Sequence, residues 1–173
     1  SEIMKIANEY KIFVTPRGAG TGLAGGAVPV EGGIVLDMSK MNEIHKIDIE
    51  NLLVEAGPGV IQSDLNNELK PYGFFFPPDP GSSKTCTIGG QIANNASGMR
   101  CVKYGTVKNY VLNLEVVMAD GTVINTGSEC QKSSSGYDLS RLFVGSEGTL
   151  GIITRVTLKI MPIPEHRMLV MAS

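Results

Sequence analysis

The stretch "TPRGAGTGLAGGAVP", residues 15–29, constrains this chain most, because it packs five glycines between Pro16 and Pro29 directly after the apolar run "IFV". Gly20, Gly22 and Gly25 spell G-x-G-x-x-G, the usual dinucleotide fingerprint. A Rossmann turn needs a helix to begin at once, because the helix N-terminus receives the pyrophosphate. Here the chain continues "GAVPVEGGIVLD", where Pro29, Gly32 and Gly33 leave no room for a helix and Ile34 opens a β-branched, strand-like run. A P-loop is excluded as well, since no Lys-Ser or Lys-Thr pair follows a glycine. What remains is a strand–loop–strand segment. Its glycines permit positive φ, so successive amides can turn inward as an anion nest, with Arg17 adding charge and Thr21 a hydroxyl.

A length of 173 residues allows one substantial core or two small lobes. Hydrophobic residues at 42% and charged residues at 18% describe an ordinary folded domain. The net charge is −2 and the 15 Lys and Arg residues are scattered, so no basic stripe follows a nucleic-acid backbone and nucleic acid is excluded as a partner. Cys86, Cys101 and Cys130 are odd in number and lie outside C-x-x-C pairs, which argues against a metal or iron–sulfur centre and for a reducing cytoplasm. No apolar run approaches membrane-span length, and "NAS" at Asn95 lacks the secretion context of a glycosylation site. The opening "SEIMKIANEYK" puts Ile3, Ile6 and Ala7 on one helical face, and "RMLVMAS" is an apolar alternating run without a turn. Both ends read as cut from something longer.

Between those ends "KIFVTP", "GGIVLDM", "EIHKID" and "LLVEAG" are expected strands, and "IQSDLNNELKPYG" a helix on Ile61, Leu65 and Leu69, ended by Pro71 and Gly73. "FFFPPDPGSSKT" is expected to be irregular throughout, because Pro77, Pro78 and Pro80 oppose regular pairing. "TIGGQIANNASG" predicts a short helix, "YVLNLEVVMADGTVINTG" a hairpin turning at Asp120-Gly121, "DLSRLFVGSEGTLG" a helical turn before a glycine loop, and "IITRVTLKIMP" a strand. Meander-like strands with a few helices make the fold class α+β, with a lobe boundary near Gly57–Gly59. Three spaced glycine-rich segments suit a long, flat, phosphate-bearing cofactor.

In order, "PRGAGTGLAGGAVP", "PDPGSSKTCTIGGQIANNASGMRCVKYGT", "LEVVMADGTVI" and "GYDLSRLFVGSEGTLGIITRVTLKI" resemble the vanillyl-alcohol-oxidase-type (PCMH-type) FAD-binding module. Within it they are most similar to the branch of FAD-linked D-lactate and D-2-hydroxyglutarate dehydrogenases and the glycolate oxidase flavin subunit. The resemblance implies a two-lobed α+β fold: a small βα lobe over 1–57 lacking its N-terminal strand, a larger mainly antiparallel lobe over 58–173, and no substrate-cap domain. FAD would extend between the lobes. Pro16, Arg17, Gly18, Ala19, Gly20, Thr21 and Gly22 would wrap its pyrophosphate, while Pro78, Asp79, Thr87, Ile88, Gly89 and Gly90 would line its middle. Asn95, Ala96, Ser97, Gly98, Tyr104 and Gly105 would follow it further, and Glu147, Gly151 and Ile152 would meet the adenosine end. A helix start at "TIGG" would add its dipole.

Relatives that attach FAD covalently through this loop carry a histidine where Thr21 stands, so FAD is expected to be non-covalent. The implied activity is oxidation of a 2-hydroxy acid by hydride transfer to flavin N5, by a longer protein or complex, with this chain alone inactive on substrate. An electron-transfer subunit or self-association, and a cytoplasmic place with peripheral contact at the inner membrane face, complete that picture. Alternatives are an alkylglycerone-phosphate synthase, a sugar-nucleotide reductase, or a non-catalytic flavin module needing a partner chain. No catalytic base stands out: Arg100 and Lys103 read as surface charges, Asp37 and Asp138 as turn or helix caps, Tyr104 as packing, and His45 and His166 as structural.

Overall fold

The computed structural model describes residues 1–166, 168, 170 and 171. In chain order the elements are α1 (Glu2–Tyr10), β1 (Val14–Arg17), β2 (Ile34–Asp37), β3 (Ile44–Asp48), β4 (Leu53–Ala56), α2 (Gln62–Leu69), β5 (Phe74–Phe75) and α3 (Ile88–Ala93). There follow α4 (Cys101–Tyr104), β6 (Val111–Val117), β7 (Val123–Asn125), α5 (Leu139–Phe143), β8 (Ile152–Lys159) and β9 (Met161–Pro162), with 3-10 turns at Lys70–Tyr72 and Val107–Asn109.

The Asp-Gly hairpin forms where the sequence puts it. Gly121 adopts φ 84, the Thr122 amide donates to Asp120 Oδ1 at 2.8 Å, and Val117 pairs with Val123. β6 then pairs with β8, and β8 with β4, giving an antiparallel sheet in the order β3-β4-β8-β6-β7. Val54, Leu114, Val156 and Leu158 from this sheet pack with Leu65 and Leu69 of α2 and Ile88 and Ile92 of α3, all fully buried. Each such side chain contributes about 1.5–3 kcal/mol on burial.

α1, β1 and β2 stand beside this sheet. β1 and β2 run parallel, Val14 opposite Ile34 and Arg17 opposite Asp37, with the glycine loop as their crossover. Gly33 takes φ 90 where a Cβ would run into the Phe13 carbonyl, so only glycine lets the strands meet there. Met38, Val117 and Ile152 form a second buried cluster, with Met4, Val14 and Leu36 against it, joining this unit to the main sheet. Ser1 Oγ adds a 2.6 Å hydrogen bond to the Gly121 carbonyl.

The α+β class holds, with three differences in detail. The first two strands are a parallel pair rather than part of a meander. Phe74 and Phe75, expected to be irregular, pair with Pro162 and Met161, because the prolines begin only at Pro77 and leave both residues free to bond. α4 and the two 3-10 turns carry too little periodicity to be seen in advance. β3 and β4, on the N-terminal side of Gly57–Gly59, belong to the same sheet as the C-terminal strands. In the terminal "RMLVMAS" run, Arg167, Leu169, Ala172 and Ser173 lie outside the described residues.

Leu114, fully buried at the centre of β6, tests this core. Leu114→Ala is expected to cost about 2–5 kcal/mol in denaturant unfolding, and a loss below about 1 kcal/mol would contradict this packing.

Candidate cofactor-binding cleft

A cleft of about 350 Å³ opens between the glycine loop, α3 and the 146–153 segment. Its first wall is Pro16 to Leu23 with Gly26 and Ala27. Among the described residues, no backbone or side-chain acceptor takes the amides of Gly18 to Ala27. Arg17 Nη1 donates to the Ala27 carbonyl at 3.1 Å, closing the loop, and Gly20 at φ +67 lies under the guanidinium.

The second wall is the start of α3. Thr87 is its N-cap, its hydroxyl accepting from the Gly90 amide at 3.3 Å. A Cβ at Gly18 would overlap that hydroxyl, so the loop's close approach to α3 requires glycine there. Gly89 similarly abuts Pro58, whose carbonyl accepts its amide at 2.8 Å. The Ile88 amide goes to Val60 at 2.8 Å. The first amides of α3 are therefore spent inside the protein. The free amide donors beside the cleft belong to the loop.

The third wall follows α5. The Gly145 and Glu147 amides donate to the Ile92 and Ala93 carbonyls, both at 2.9 Å, fastening this segment to the end of α3. Glu147 holds φ 52, a left-handed conformation costly for a non-glycine residue, and Gly148 at φ 79 packs beside the Pro16 ring. The inner wall includes Met38, Cys86 and Gln91. Gln91 is 2% exposed, donates from Nε2 to Cys86 Sγ at 3.1 Å, and keeps an unpartnered Oε1. Among the described residues, Arg17 is the only cation on the lining and Glu147 the only anion.

All seven loop residues from Pro16 to Gly22 line the cleft, and so do Thr87, Gly89, Gly90 and Ala96. Glu147, Gly151 and Ile152 join them from the third wall. The other residues named in advance stand behind or beside the lining. Ile88 is buried in the core, and Pro78 accepts from Gln62 Nε2. Asp79 pairs with Arg100 at 3.2 Å, and Gly98 packs on the Asp79 carbonyl. Asn95 at φ 45 accepts through Oδ1 from Thr106 Oγ1 (2.9 Å) and the Lys108 amide (3.2 Å). Ser97 is exposed. Tyr104 meets Phe75 edge-on at 5.6 Å, and Gly105 at φ 79 packs against the Asn109 side chain.

Met38, Pro58, Ser82, Cys86 and Gln91 reach the cleft without having been anticipated, as do Asn94, Ser146 and Gly148. Asn94, Ser146 and Gly148 sit inside the quoted motifs and were legible there. Met38 and Pro58 reach the cleft only through tertiary packing. Asp37 and Asp138 act as caps: Asp37 takes the Ser39 amide at 2.8 Å, which holds its carboxyl below the usual range, and Asp138 takes the Arg141 amide at 3.1 Å. His45 faces Glu43 at 3.8 Å, and neither His45 nor His166 lines the cleft. Among the described residues no group of His, Cys, Asp and Glu could hold a metal ion, and no helix is long and apolar enough to cross a membrane.

The donor set fits a dinucleotide diphosphate. Consecutive unsatisfied amides beside one arginine favour an anion, and the glycine contacts leave backbone rather than side chain facing the space. Residues 1–127 match the family described as "FAD binding domain". The chain is 49% identical to the glycolate oxidase subunit GlcD of Bacillus subtilis, over 99% of this chain and 37% of that protein. It is 52% identical to a D-lactate dehydrogenase of Archaeoglobus fulgidus (94% and 36%) and 42% to the mitochondrial D-2-hydroxyglutarate dehydrogenase of Danio rerio (91% and 30%). It thus spans about a third of the length of these relatives. Among solved structures, alkyldihydroxyacetonephosphate synthase superposes with a TM-score of 0.82 at 27% identity, over 95% of this chain and 32% of that one.

The strain at Glu147 is measurable without any ligand. Glu147→Gly should raise unfolding stability by about 1 kcal/mol, because glycine adopts φ 52 freely, and an unchanged or lowered stability would remove the strain from this account.

Proposed function

We propose, from the premise that this chain belongs to the FAD binding domain family, that its cleft holds FAD non-covalently for a longer enzyme that oxidises a 2-hydroxy acid. One observation carries the cofactor reading: the run of amides from Gly18 to Ala27 with no acceptor of their own, closed by Arg17. Such a loop binds a diphosphate through backbone dipoles and needs no catalytic side chain to do so. Thr21 offers a weakly nucleophilic hydroxyl where covalent attachment through this loop uses an imidazole, which supports non-covalent attachment. The 22 residues named from the family resemblance fall into two groups here: those on the lining, where a bound cofactor would meet them, and those such as Asn95 and Gly105, which shape the walls behind it.

When bound, FAD supplies a two-electron acceptor for hydride from the substrate's α-carbon. This chain's part is to orient and shield that group. Arg17 and the loop amides hold the diphosphate, Met38 and Ile153 present an apolar inner wall, and Gln91 Oε1 offers a buried acceptor. The 2-hydroxy-acid class is supported by the relatives, whose names specify glycolate, D-lactate and D-2-hydroxyglutarate. Among the described residues, Glu147 is the one carboxylate on the lining and no histidine or lysine joins it, which favours a base and carboxylate clamp supplied from outside this segment, with an electron acceptor as a further partner. A lobe boundary near Met38–Glu43 suits the sheet pairing better than one at residue 57. Three free cysteines suit a reducing, cytoplasmic compartment.

Purified protein should be yellow or take up added FAD, and acid precipitation should leave all flavin in the supernatant. Flavin remaining on the precipitated chain would overturn non-covalent attachment, and a folded protein that takes up no FAD would overturn the cofactor. Arg17→Ala should weaken FAD binding by roughly tenfold or more, as expected for a lost charge-assisted contact, with circular dichroism unchanged. Unchanged affinity would remove Arg17 from the diphosphate site.

A further inference from the structure

Two segments of the cleft wall are tied together by an ion pair that cofactor contact does not explain. Arg100 Nε lies 3.2 Å from Asp79 Oδ2, with the side chains 41% and 26% exposed. Neither residue lines the cleft. Asp79 precedes Pro80, Ser82 and Cys86, which do, and Arg100 follows Asn94 and Ala96, which also do. Beneath the pair the backbones touch: a Cβ at Gly98 would strike the Asp79 carbonyl, with the Pro80 nitrogen 2.9 Å away. Among the described residues no other hydrogen bond or ion pair joins 77–82 to 97–100.

The 77–87 segment is anchored at both roots and bare at its tip. Gln62 Nε2 holds the Pro78 carbonyl, and the Ser63 amide holds Ser83 at 3.1 Å. Gly81, between them, is exposed, with nothing within 4 Å of a Cβ. Behind this tip lies Cys86, only 5% exposed.

We propose that Arg100 is a positioning residue: its pair with Asp79 clamps the 77–87 segment against the 97–100 segment and so controls opening of the inner cleft and exchange of the dinucleotide. The exchange half of this statement rests on the cleft holding FAD; the opening half does not. An exposed pair contributes little to global stability, so its effect appears in local opening and weakens with salt.

The test uses Cys86 as a reporter in a Cys101→Ser, Cys130→Ser background, where it is the one remaining thiol. Without flavin, Arg100→Ala and Asp79→Asn should each raise the rate of Cys86 labelling by N-ethylmaleimide about two- to fivefold. Arg100→Lys or the swapped pair Asp79→Arg/Arg100→Asp should restore slow labelling. Raised salt should speed labelling of the parent and leave Arg100→Ala unchanged. With FAD loaded, flavin release followed by fluorescence should rank the variants in the same order. Equal labelling of parent and Arg100→Ala overturns the clamp whether or not FAD binds. Faster labelling with unchanged flavin release overturns its role in exchange, and a parent that binds no FAD overturns the cofactor reading alone. If Arg100→Ala fails to fold, the near-isosteric Asp79→Asn carries the same comparison.

Discussion

The contact between Gly18 and the Thr87 hydroxyl is the joint on which the cleft depends. That hydroxyl accepts the Gly90 amide to cap α3, and the missing Cβ at position 18 lets the glycine loop close on it. The loop is thereby held by van der Waals contact and by the Arg17–Ala27 bond, not by its own amides, which stay free for a ligand. A loop of ordinary residues would have to stand off from α3. Short α3, with Ile88 and Ile92 buried under the five-stranded sheet, transmits the rigidity of the core to the site.

Charge is used sparingly in the cleft. Among the described residues one arginine and one glutamate line it, and the remaining polarity comes from backbone, hydroxyl and amide groups. Fixed dipoles of this kind pay no side-chain entropy when an anion arrives. The two buried glutamines show the same economy. Gln62 and Gln91 each spend Nε2 on the 78–86 segment and each leave Oε1 unpartnered, and Gln91 does so on the cleft lining.

Much of this was legible in the sequence, for local reasons. Pro29 and Gly32–Gly33 exclude a Rossmann helix, and the structure continues into β2 as those residues require. The Asp120–Gly121 hairpin, the helix ended by Gly73 and the cap at Asp138 rest on interactions within a few residues. Non-local pairing was not legible. Nothing in "VTPR" and "IVLD" says that they run parallel, and nothing in "FF" points to Met161–Pro162. The motifs also mix two kinds of residue that composition cannot separate. Gly18 and Gly20 face the cleft, whereas Gly105 and Asn95 take positive φ to turn the chain, and Asn95 spends Oδ1 on the turn at Thr106–Lys108. Met38 and Pro58 reach the cleft by packing alone, with no motif to announce them as ligands.

Hydrogen exchange of the loop amides, read residue by residue with and without FAD, tests the central claim most directly. The account predicts fast exchange from Gly18 to Ala27 in the free chain, since these amides have no internal acceptor, and strong protection of several of them once FAD is bound. Bound FAD with those amides still exchanging freely would contradict it and place the diphosphate elsewhere.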